Sequence, residues 1–472
     1  MTDSDGETDD GQPAECSDVL VIFGITGDLA KKMTFRALYR LERRGLLQCP
    51  IVGVAADDIT AEQLNDRARA AIVAAGEPID NAVFGRLAER LSYLSGDFTG
   101  DAVYQQLASR LTTYHRPLYY LEVPPALFGP IVEQLGDAKL LGGATVAVEK
   151  PFGHDLASAR ELNDRLHRVL LEEQILRVDH FVGKEPVIEL EYLRFANVAL
   201  AEVWDRRSVS AIEITLAENF GVEDRGAFYD RVGALRDVVQ NHLMQVLALV
   251  AMEPPAGSSG NELRDKKAEV FRAIPAADPA HCVRGQYDGY REIDGVAKDS
   301  ATETFIALKL EIDNWRWAGV PVFLRAGKSL AESVTEVRLV LRRTPPLAFL
   351  PKPAQVEQNQ IVLRIDPRPG FRMQLIGRAE DQSWRTVPLQ TVFANDLGEP
   401  LEPYERLLHA ALTGDHRLFA REDSIEETWR IVQPLLSDPP AVQSYPVGSW
   451  GPDSAQELMH GRPGWHQPWL DD

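Results

Sequence analysis

The stretch VLVIFGITGDLA, residues Val19–Ala30, places a glycine-containing turn directly after five consecutive apolar residues. An apolar run of this length is typical of a buried strand, and the two glycines indicate a tight turn behind it. Apolar residues at helical spacing from Leu29 onward predict a helix that ends near Gly45, and the run Ile51–Ala55 predicts a second buried strand. A strand, a helix and a strand in this order predict parallel pairing through a right-handed crossover.

Helices and strands continue to alternate up to about residue 150. The predicted elements are a helix over Ala61–Ala75, a helix over Asp101–Leu111, a strand over Pro117–Val123, a helix over Leu127–Leu135 and a strand over Thr145–Val148. This alternation predicts a doubly wound, Rossmann-like domain built on a parallel sheet.

The sequence changes in character after Phe181, where longer strands follow one another with fewer helices between them. The predicted strands are Ser208–Ala217, Ala301–Ile312, Glu336–Leu341 and Gln360–Ile365, and the predicted helices are Tyr229–Met252 and Tyr404–Leu412. The fold class is therefore α/β plus α+β, with a mostly antiparallel sheet in a larger β+α domain. We expect a tail over residues 1–17, a first domain over 18–178 and a second over 179–472.

The charge balance excludes some classes of partner. The 472 residues carry 50 Lys and Arg against 71 Asp and Glu, a formal net charge of −21. Such a protein repels nucleic acid and anionic membrane surfaces, so we expect neither as a partner. An anionic small molecule would need a concentrated basic pocket of its own.

The cysteines and the N-terminal residues point to a cytoplasmic protein. Cys16, Cys49 and Cys282 are too few and too scattered for a disulfide framework or a zinc site, and we expect no metal. The first fifteen residues contain six acidic residues and no Lys or Arg, which is the reverse of a signal peptide, so we expect a disordered acidic tail. No apolar run approaches the ~20 residues that span a bilayer.

The turn after the first strand is a candidate phosphate-binding site. Main-chain N–H groups and the dipole of the following helix hold a pyrophosphate in such turns, so we expect a dinucleotide there. The residues expected to bind it are Gly24, Thr26, Gly27, Asp28 and Leu29. A plain tight turn is the alternative, and the flanking strand, helix and strand favour the dinucleotide.

The end of the second strand bears on which dinucleotide binds. An acid at this position bonds the ribose 2′-hydroxyl of NAD, whereas an Arg accommodates the 2′-phosphate of NADP. Residues 55–58 read AADD, with two carboxylates and no Arg, so Asp57 favours NAD. The alternative is that Asp57 and Asp58 are solvated residues that cap the helix near Thr60.

Three further segments carry a resemblance to a known family: EKPFG at Glu149–Gly153, RVDHFVGKE at Arg177–Glu185 and RDVVQNH at Arg236–His242. Together with the glycine turn they resemble the glucose-6-phosphate dehydrogenase family, and the likeness extends from Asp18 to Gly451. The resemblance implies oxidation of C1 of glucose 6-phosphate to 6-phosphogluconolactone with hydride transfer to NAD or NADP, the first step of the oxidative pentose phosphate pathway. It also implies a coenzyme domain, a larger substrate domain whose sheet forms a homodimer, and possible assembly into a homotetramer.

The resemblance assigns roles to individual residues. His242 matches the base that takes the C1 hydroxyl proton, a task suited to an imidazole near neutral pH, and Asp179 matches its carboxylate partner. Lys150, followed by a Pro151 that the family holds cis, matches a lysine that touches sugar and coenzyme. The expected substrate ligands are His180 and Lys184 for the phosphate, Glu218 and Asp237 for sugar hydroxyls, and Lys328 as a further basic group. Each has a structural alternative: His242 as a core residue, Asp237 as a helix N-cap, Glu218 as an exposed turn acid.

Four positions depart from the family pattern. Met33 and Ala56 stand where NADP-using members carry basic residues, so we expect NAD to be preferred. Phe181 replaces a Tyr, and Ser333 replaces a basic residue, which leaves His180, Lys184 and Lys328 as the expected cationic groups for a phosphate. A weaker phosphate site keeps two alternatives open: a dehydrogenase of unphosphorylated glucose or another aldose, and a non-catalytic sensor of sugar phosphate or dinucleotide.

Overall fold

The computed structural model describes residues 16–350, 356–396 and 401–470. The strands are β1 (Val19–Phe23), β2 (Ile51–Ala55), β3 (Leu91–Ser95), β4 (Pro117–Leu121), β5 (Thr145–Glu149), β6 (Ile175–Val178), β7 (Val209–Ala217), β8 (Cys282–Tyr287), β9 (Phe305–Leu310), β10 (Val322–Gly327), β11 (Val334–Leu341), β12 (Gln360–Asp366), β13 (Gly370–Arg378), β14 (Trp384–Val392), β15 (Phe419–Ala420) and β16 (Val442–Tyr445). Residues 1–15 of the predicted acidic tail lie outside the described residues.

Fourteen α-helices and two π-helical stretches are found in the described part of the chain. The helices are α1 (Phe35–Arg43), α2 (Ala61–Ala74), α3 (Asn81–Arg90), α4 (Asp101–Arg110), α5 (Phe128–Asp137), α6 (Leu156–His167), α7 (Glu185–Phe195), α8 (Val198–Ala201), α9 (Gly226–Tyr229), α10 (Met244–Ala251), α11 (Gly260–Arg272), α12 (Phe393–Asp396), α13 (Pro403–Leu412) and α14 (Glu422–Ser437), and the π-helical stretches are Ala30–Thr34 and Leu235–Leu243. Within the described ranges, none of the helices combines the length and apolar character needed to cross a bilayer.

The first sheet has seven strands in the order β15-β6-β5-β4-β1-β2-β3. Its first six strands in sequence are all parallel, which confirms the doubly wound prediction. The strand order reverses between β1 and β4, and a crevice for ligands opens at such a reversal. The seventh strand, β15, comes from much later in the chain and pairs antiparallel with β6.

The second sheet has nine strands in the order β14-β13-β12-β11-β7-β10-β9-β8-β16. All neighbours pair antiparallel except β7 with β10 and β8 with β16, which confirms the prediction of a mostly antiparallel sheet. One apolar core includes residues from strands of both sheets and from the helices between them, so the two sheets are held around a shared interior.

The prediction of a helix over Tyr229–Met252 is confirmed from Leu235 to Ala251 and is wrong for the residues before Gly233. Helix α9 ends at Tyr229, a π-helical stretch follows Ala234, and α10 begins only at Met244. Gly233 separates the pieces with φ +71°, and a Cβ there would lie 2.5 Å from a carboxylate oxygen of Glu303. The backbone therefore turns at Gly233, which apolar spacing does not reveal.

The sequence analysis did not predict three strands of the first sheet, β3, β6 and β15, or two of its helices, α3 and α6. Strand β6 is four residues long and contains Arg177, a charged residue in an otherwise apolar run. The structure buries this arginine by bonding it to Glu172 at 2.7 Å and to the Asn163 side chain at 2.9 Å. A buried charge needs such partners. Because both partners lie outside β6, the residues of the strand alone do not indicate that it is buried.

Candidate active site

A cleft of about 860 Å³ lies between the carboxyl edge of the first sheet and the second sheet. The sequence-predicted residues that line it are Leu29, Lys150, His180, Lys184, Glu218, Asp237, His242 and Lys328. The structure thus gathers residues from six separate segments at one place. Asp179 lies behind them, buried beneath His242.

His242 and Asp179 are brought into direct contact at the bottom of the cleft. His242 lies on the π-helical stretch Leu235–Leu243, and Asp179 follows the end of β6. The imidazole Nδ1 lies 2.6 Å from the carboxylate Oδ1, and both side chains are almost fully buried. The main-chain N–H of Phe181 donates to the same Oδ1 at 3.0 Å, and the Phe181 ring stacks on the imidazole at 5.0 Å between centroids. The base and its carboxylate are therefore held from two sides.

Lys150 closes the other side of the imidazole. Its Nζ lies 2.8 Å from Nε2 of His242 and donates to the main-chain oxygen of Asp237 at 3.1 Å. The Asp237 carboxylate lies 3.7 Å from the same ammonium group. Because an ammonium group has only donors, Nε2 accepts, and Nδ1 carries the proton that faces Asp179. The arrangement selects the imidazole tautomer that a base requires. The Lys150–Pro151 bond is cis, as the resemblance implied.

The electrostatics of the pair favour a neutral imidazole beside an ionised carboxylate. Burial lowers the pKa of His242; Asp179 opposes this shift, and the positive charge of Lys150 adds to it. Burial alone would raise the pKa of Asp179, but His242, His180 and Lys150 together hold it well below its usual range. At neutral pH His242 is therefore able to accept a proton.

His180 differs from the expectation that it supplies a positive charge. Burial lowers the pKa of His180 to about 3, and the neighbouring His242 contributes to this shift. Its ring meets the His242 ring edge-on at 4.8 Å and lies parallel to the Tyr404 ring at 6.1 Å. His180 is a neutral hydrogen-bonding group in the cleft, so the expected count of three cations for a phosphate falls to two.

Those two cations are each paired with an acid. Lys184 bonds to Asp366, which ends β12 on the far wall of the cleft, and its ammonium group lies 4.4 Å from the centre of the Phe181 ring. Lys328 donates to Glu218 at 2.5 Å. Glu218 is thus an ion-pair partner rather than an isolated turn acid. The sequence analysis missed Asp366, for which its place before Pro367 at a strand end was the only signal.

Asp237 and Ser333 have local roles that the structure defines. The π-helical stretch begins after Ala234, so Asp237 lies within its first turn and is not its N-cap. Ser333 donates to the side-chain oxygen of Asn219 at 2.8 Å and accepts from its main-chain N–H at 2.9 Å. Ser333 stands at a position that departs from the family pattern, and both hydrogen bonds of its hydroxyl go to Asn219.

The glycine turn has the geometry of a close-approach site. Gly24 has φ +86°, and a Cβ there would lie 2.2 Å from the main-chain oxygen of Glu122. The N–H of Gly27 donates to the oxygen of Gly24 at 2.8 Å, which closes the turn. Only glycine fits at position 24, and the resulting cradle at the strand reversal suits a pyrophosphate. Asp28 and Leu29 follow it, immediately before the π-helical stretch.

The edge beyond β2 contains a basic residue that the sequence analysis did not place there. Thr26 donates to the Asp57 carboxylate at 2.6 Å, and this bond lowers the Asp57 pKa. Arg67 of α2 donates to the other oxygen of the same carboxylate at 3.3 Å. The prediction that no Arg lies at this edge is therefore wrong, because the fold brings Arg67 to Asp57. Thr60, with Gln63, caps α2, so neither Asp57 nor Asp58 does so.

A metal ion is a poor fit to this site. Asp179, His180 and His242 place potential ligand atoms within 4.8 Å of one another. However, Nδ1 of His242 faces the carboxylate, and Nε2 faces the ammonium group of Lys150. A positively charged neighbour on the ligand atom opposes cation binding.

Comparisons with known proteins agree with this architecture. The family model described as the NAD binding domain of glucose-6-phosphate dehydrogenase matches residues 21–189, and the one for its C-terminal domain matches residues 191–467. The chain is 68% identical over 454 residues to glucose-6-phosphate 1-dehydrogenase 1 of Mycobacterium tuberculosis, covering 96% of this chain and 97% of that one. It is 36% identical to the Treponema pallidum glucose-6-phosphate 1-dehydrogenase, covering 95% of each.

Two solved structures are similar throughout. The glucose-6-phosphate 1-dehydrogenase of Mycobacterium avium superimposes with a TM-score of 0.90 at 66% identity, covering 96% of this chain and all of that one. A glucose-6-phosphate dehydrogenase in complex with its substrate glucose 6-phosphate superimposes with a TM-score of 0.90 at 32% identity, covering 97% of this chain and all of that one.

Proposed function

The chain belongs to the glucose-6-phosphate dehydrogenase family, and on that premise we propose that it oxidises glucose 6-phosphate at C1 with His242 as the base. It is an NAD(P)-dependent oxidoreductase that acts on the CH–OH group of its sugar. The contact of 2.6 Å between His242 and Asp179 at the bottom of the cleft carries the assignment of the base. The product is the 6-phosphogluconolactone, as in the first step of the oxidative pentose phosphate pathway.

The proposed proton path runs through the imidazole. The anomeric hydroxyl takes the place that Lys150 occupies at Nε2 and gives its proton to His242. Asp179 orients the ring and stabilises the imidazolium that forms. Lys150, released from Nε2, binds the sugar and the coenzyme. The turn that contains Gly24, Thr26 and Gly27 would hold the nicotinamide dinucleotide, which would supply the acceptor for the hydride from C1.

Two of the three expected cations remain for the phosphate of the substrate. These are Lys184, which pairs with Asp366, and Lys328, which pairs with Glu218. We propose that the phosphate dianion replaces Asp366 at Lys184, with neutral His180 donating a further hydrogen bond. Glu218, Asp237 and Lys328 then contact the sugar hydroxyls.

The proposed coenzyme preference is for NAD. Ala56 and Met33 lack the charged hydrogen bonds that a 2′-phosphate attracts, each worth ~1.5–3 kcal/mol. Asp57 is ionised because its bond to Thr26 lowers its pKa, so it repels the phosphate and accepts from a ribose hydroxyl. Arg67 is the opposing group, and its pairing with Asp57 reduces the charge that it offers NADP.

A kinetic matrix of NAD and NADP against glucose 6-phosphate and free glucose tests these proposals together. We expect the highest kcat/KM for glucose 6-phosphate with NAD. A preference of about tenfold or more for NADP would overturn the coenzyme proposal alone. A kcat/KM for free glucose equal to that for glucose 6-phosphate would favour the aldose alternative, which is based on Phe181 and Ser333. Ligand binding without turnover would favour the sensor alternative.

We also propose a homodimer formed through the second sheet, or a homotetramer built from it, in the cytoplasm. Val387 and Leu389 of β14 are 45% and 56% exposed, and an apolar edge strand of this kind is suited to covering by another copy. Cys16, Cys49 and Cys282 are free thiols, which suits a reducing compartment. Sedimentation velocity tests the assembly, and a monomer at micromolar concentration would contradict it.

A further inference from the structure

Glu122 is a buried acid in the cleft to which the proposed reaction gives no task. It follows the end of β4, is 8% exposed and lines the cleft beside Leu29. The hydroxyl of Thr34 donates to its Oε1 at 2.5 Å. Its Oε2 is also buried but has no hydrogen-bond partner among the residues that the structure describes. A buried polar atom without a partner is costly, so a ligand that supplies one would be stabilised there.

The strand order indicates which ligand reaches Glu122. Asp57, Gly24, Glu122 and Lys150 lie just beyond the ends of β2, β1, β4 and β5, which are adjacent in that order. A dinucleotide lies across these carboxyl ends, with its pyrophosphate at the glycine turn. If the adenosine ribose lies at Asp57, the nicotinamide half lies over β4 and β5, where Lys150 contacts the base.

Glu122 adjoins the glycine turn directly. Its main-chain N–H donates to the oxygen of Phe23 at 2.9 Å, and its main-chain oxygen is the atom that excludes a side chain at Gly24. The Glu122 side chain is thereby held beside the glycine turn, where it would adjoin the nicotinamide half of a bound dinucleotide.

We propose that Glu122 is a coenzyme-binding residue whose carboxyl group donates a hydrogen bond from Oε2 to an oxygen of the nicotinamide half. This inference rests on the proposed function, because it assumes a dinucleotide at the glycine turn. Donation requires the protonated acid, since an ionised carboxylate can only accept.

The surroundings keep Glu122 protonated at neutral pH. Burial raises its pKa to about 8, and the nearby Glu149 carboxyl adds to the rise although Thr34 opposes it. Burial also raises the pKa of Glu149 to about 7, and Tyr120 donates to that carboxyl at 2.5 Å. Lys150 lowers the pKa of Glu149, and Asp179 raises it. Burial raises the pKa of the Tyr120 and Tyr404 phenols above their usual values. Both phenols therefore stay neutral while the acids titrate.

A pH-dependent affinity follows from this chemistry. Below pH 8 the acid has a proton to donate, and above it the carboxylate has none and repels the pyrophosphate. The bound coenzyme stabilises the protonated form, so binding raises the pKa of Glu122 and takes up protons near pH 8. Affinity for the coenzyme therefore falls as the pH rises through 8 and above.

The test measures NADH binding directly, by fluorescence titration and by calorimetry in two buffers of different ionisation enthalpy. NADH is the probe because its reduced ring is uncharged. For the unaltered protein we expect Kd to rise about fivefold or more from pH 7 to pH 9.5, with net proton uptake at pH 8. Glu122→Gln keeps a donor that does not titrate, so its Kd should stay flat over this range and its proton uptake should be lost. Glu122→Ala should weaken NADH about tenfold at pH 7.

Glu89→Gln, which neutralises an exposed acid on α3 of the same domain, is the matched control and should behave as the unaltered protein does. If the Kd of Glu122→Gln depends on pH as that of the unaltered protein does, the inference is overturned. This variant tests the inference even if Glu122→Ala does not fold. A Kd that falls as the pH rises overturns it as well. Such results leave the proposed function standing if the unaltered enzyme still oxidises glucose 6-phosphate, whereas an enzyme without that turnover contradicts the proposed function itself.

Discussion

The His242–Asp179 pair and the Lys184–Asp366 pair lie in one cleft but differ in their access to water. The side chains of the first pair are 6% and 4% exposed, and those of the second are 22% and 42% exposed. Burial strengthens the first contact and shifts the pKa values of both its members, whereas solvent screens the second. The base is therefore arranged before a substrate arrives, and the phosphate-side ion pair is one that a dianion can replace.

The strongest test of the preformed base removes it. We expect His242→Gln to lower kcat by about a thousandfold or more, because no other group at this position accepts the proton. Steady-state kinetics with glucose 6-phosphate provides the measurement, and circular dichroism verifies that the variant is folded. A folded variant that keeps more than a tenth of the activity would rule out His242 as the base.

Removing the charge of the partner should cost somewhat less. In Asp179→Asn the ring loses the carboxylate that stabilises the imidazolium and selects its tautomer, so we expect kcat to fall by about a hundredfold to a thousandfold. The KM for glucose 6-phosphate should change little, because Asp179 lies behind His242. If KM rises strongly while kcat is kept, the aspartate acts on substrate binding rather than on the base.

The solvent-accessible ion pair should show the opposite division between kcat and KM. We expect Lys184→Met to raise the KM for glucose 6-phosphate about tenfold to a hundredfold through loss of a charged hydrogen bond. The KM for free glucose should be unaffected, since it has no phosphate. Asp366→Asn is the matched variant and should lower the KM for glucose 6-phosphate, because Lys184 no longer has a competing carboxylate. Equal effects on both sugars would place Lys184 away from the phosphate.

The pH dependence of kcat/KM tests the buried His242–Asp179 pair without a mutation. Burial lowers the pKa of His242, so the neutral base persists to a pH below the ordinary value for histidine. As the pH falls through this lowered pKa, kcat/KM should drop about tenfold for each pH unit. An acid limb whose midpoint lies above the ordinary histidine value would contradict the neutral, buried base.

The smallest effect is expected at Asp57 and Arg67, a pair more exposed than the two compared above. Asp57 and Arg67 have side chains that are 42% and 46% exposed, so solvent screens both charges. We expect Asp57→Ala to reduce the ratio of kcat/KM for NAD over NADP by about threefold to tenfold, and Arg67→Ala to increase it by a smaller factor. These measurements should be repeated at low and high ionic strength. Because salt screens both charges, the NAD-over-NADP ratios of the two variants should approach each other as the salt concentration increases.

Part of this site could be predicted from local sequence because the signal was local. Gly24 closes a turn between an apolar run and a helical pattern, and the conformation of that turn depends on its neighbours in sequence. Arg67, Asp366 and Glu122 carry no such signal, because their effects depend on distant residues. Arg67 lies ten positions beyond Asp57 and contacts it because α2 folds back over the turn, and Asp366 contacts Lys184 from 182 positions away.

His242 shows both sides of this division. Its presence in a segment that resembles the family's base was readable, but its position on a π-helical stretch behind Gly233 was not. That stretch determines which atoms face Asp179 and Lys150, and hence which tautomer is present. Spacing rules for α-helices do not describe such a turn.

By itself, the amino-acid sequence determined most of the strands and helices of the first sheet, the glycine turn and the chemical types of the candidate groups, because these depend on short-range periodicity and composition. Only the tertiary structure decided which groups are charged and which are free. His180 is neutral rather than cationic, Lys184 is engaged by Asp366, and Glu122 is a buried acid with an unpartnered oxygen. Charge and hydrogen bonding depend on burial and on neighbours far apart along the chain, and the fold alone brings these together.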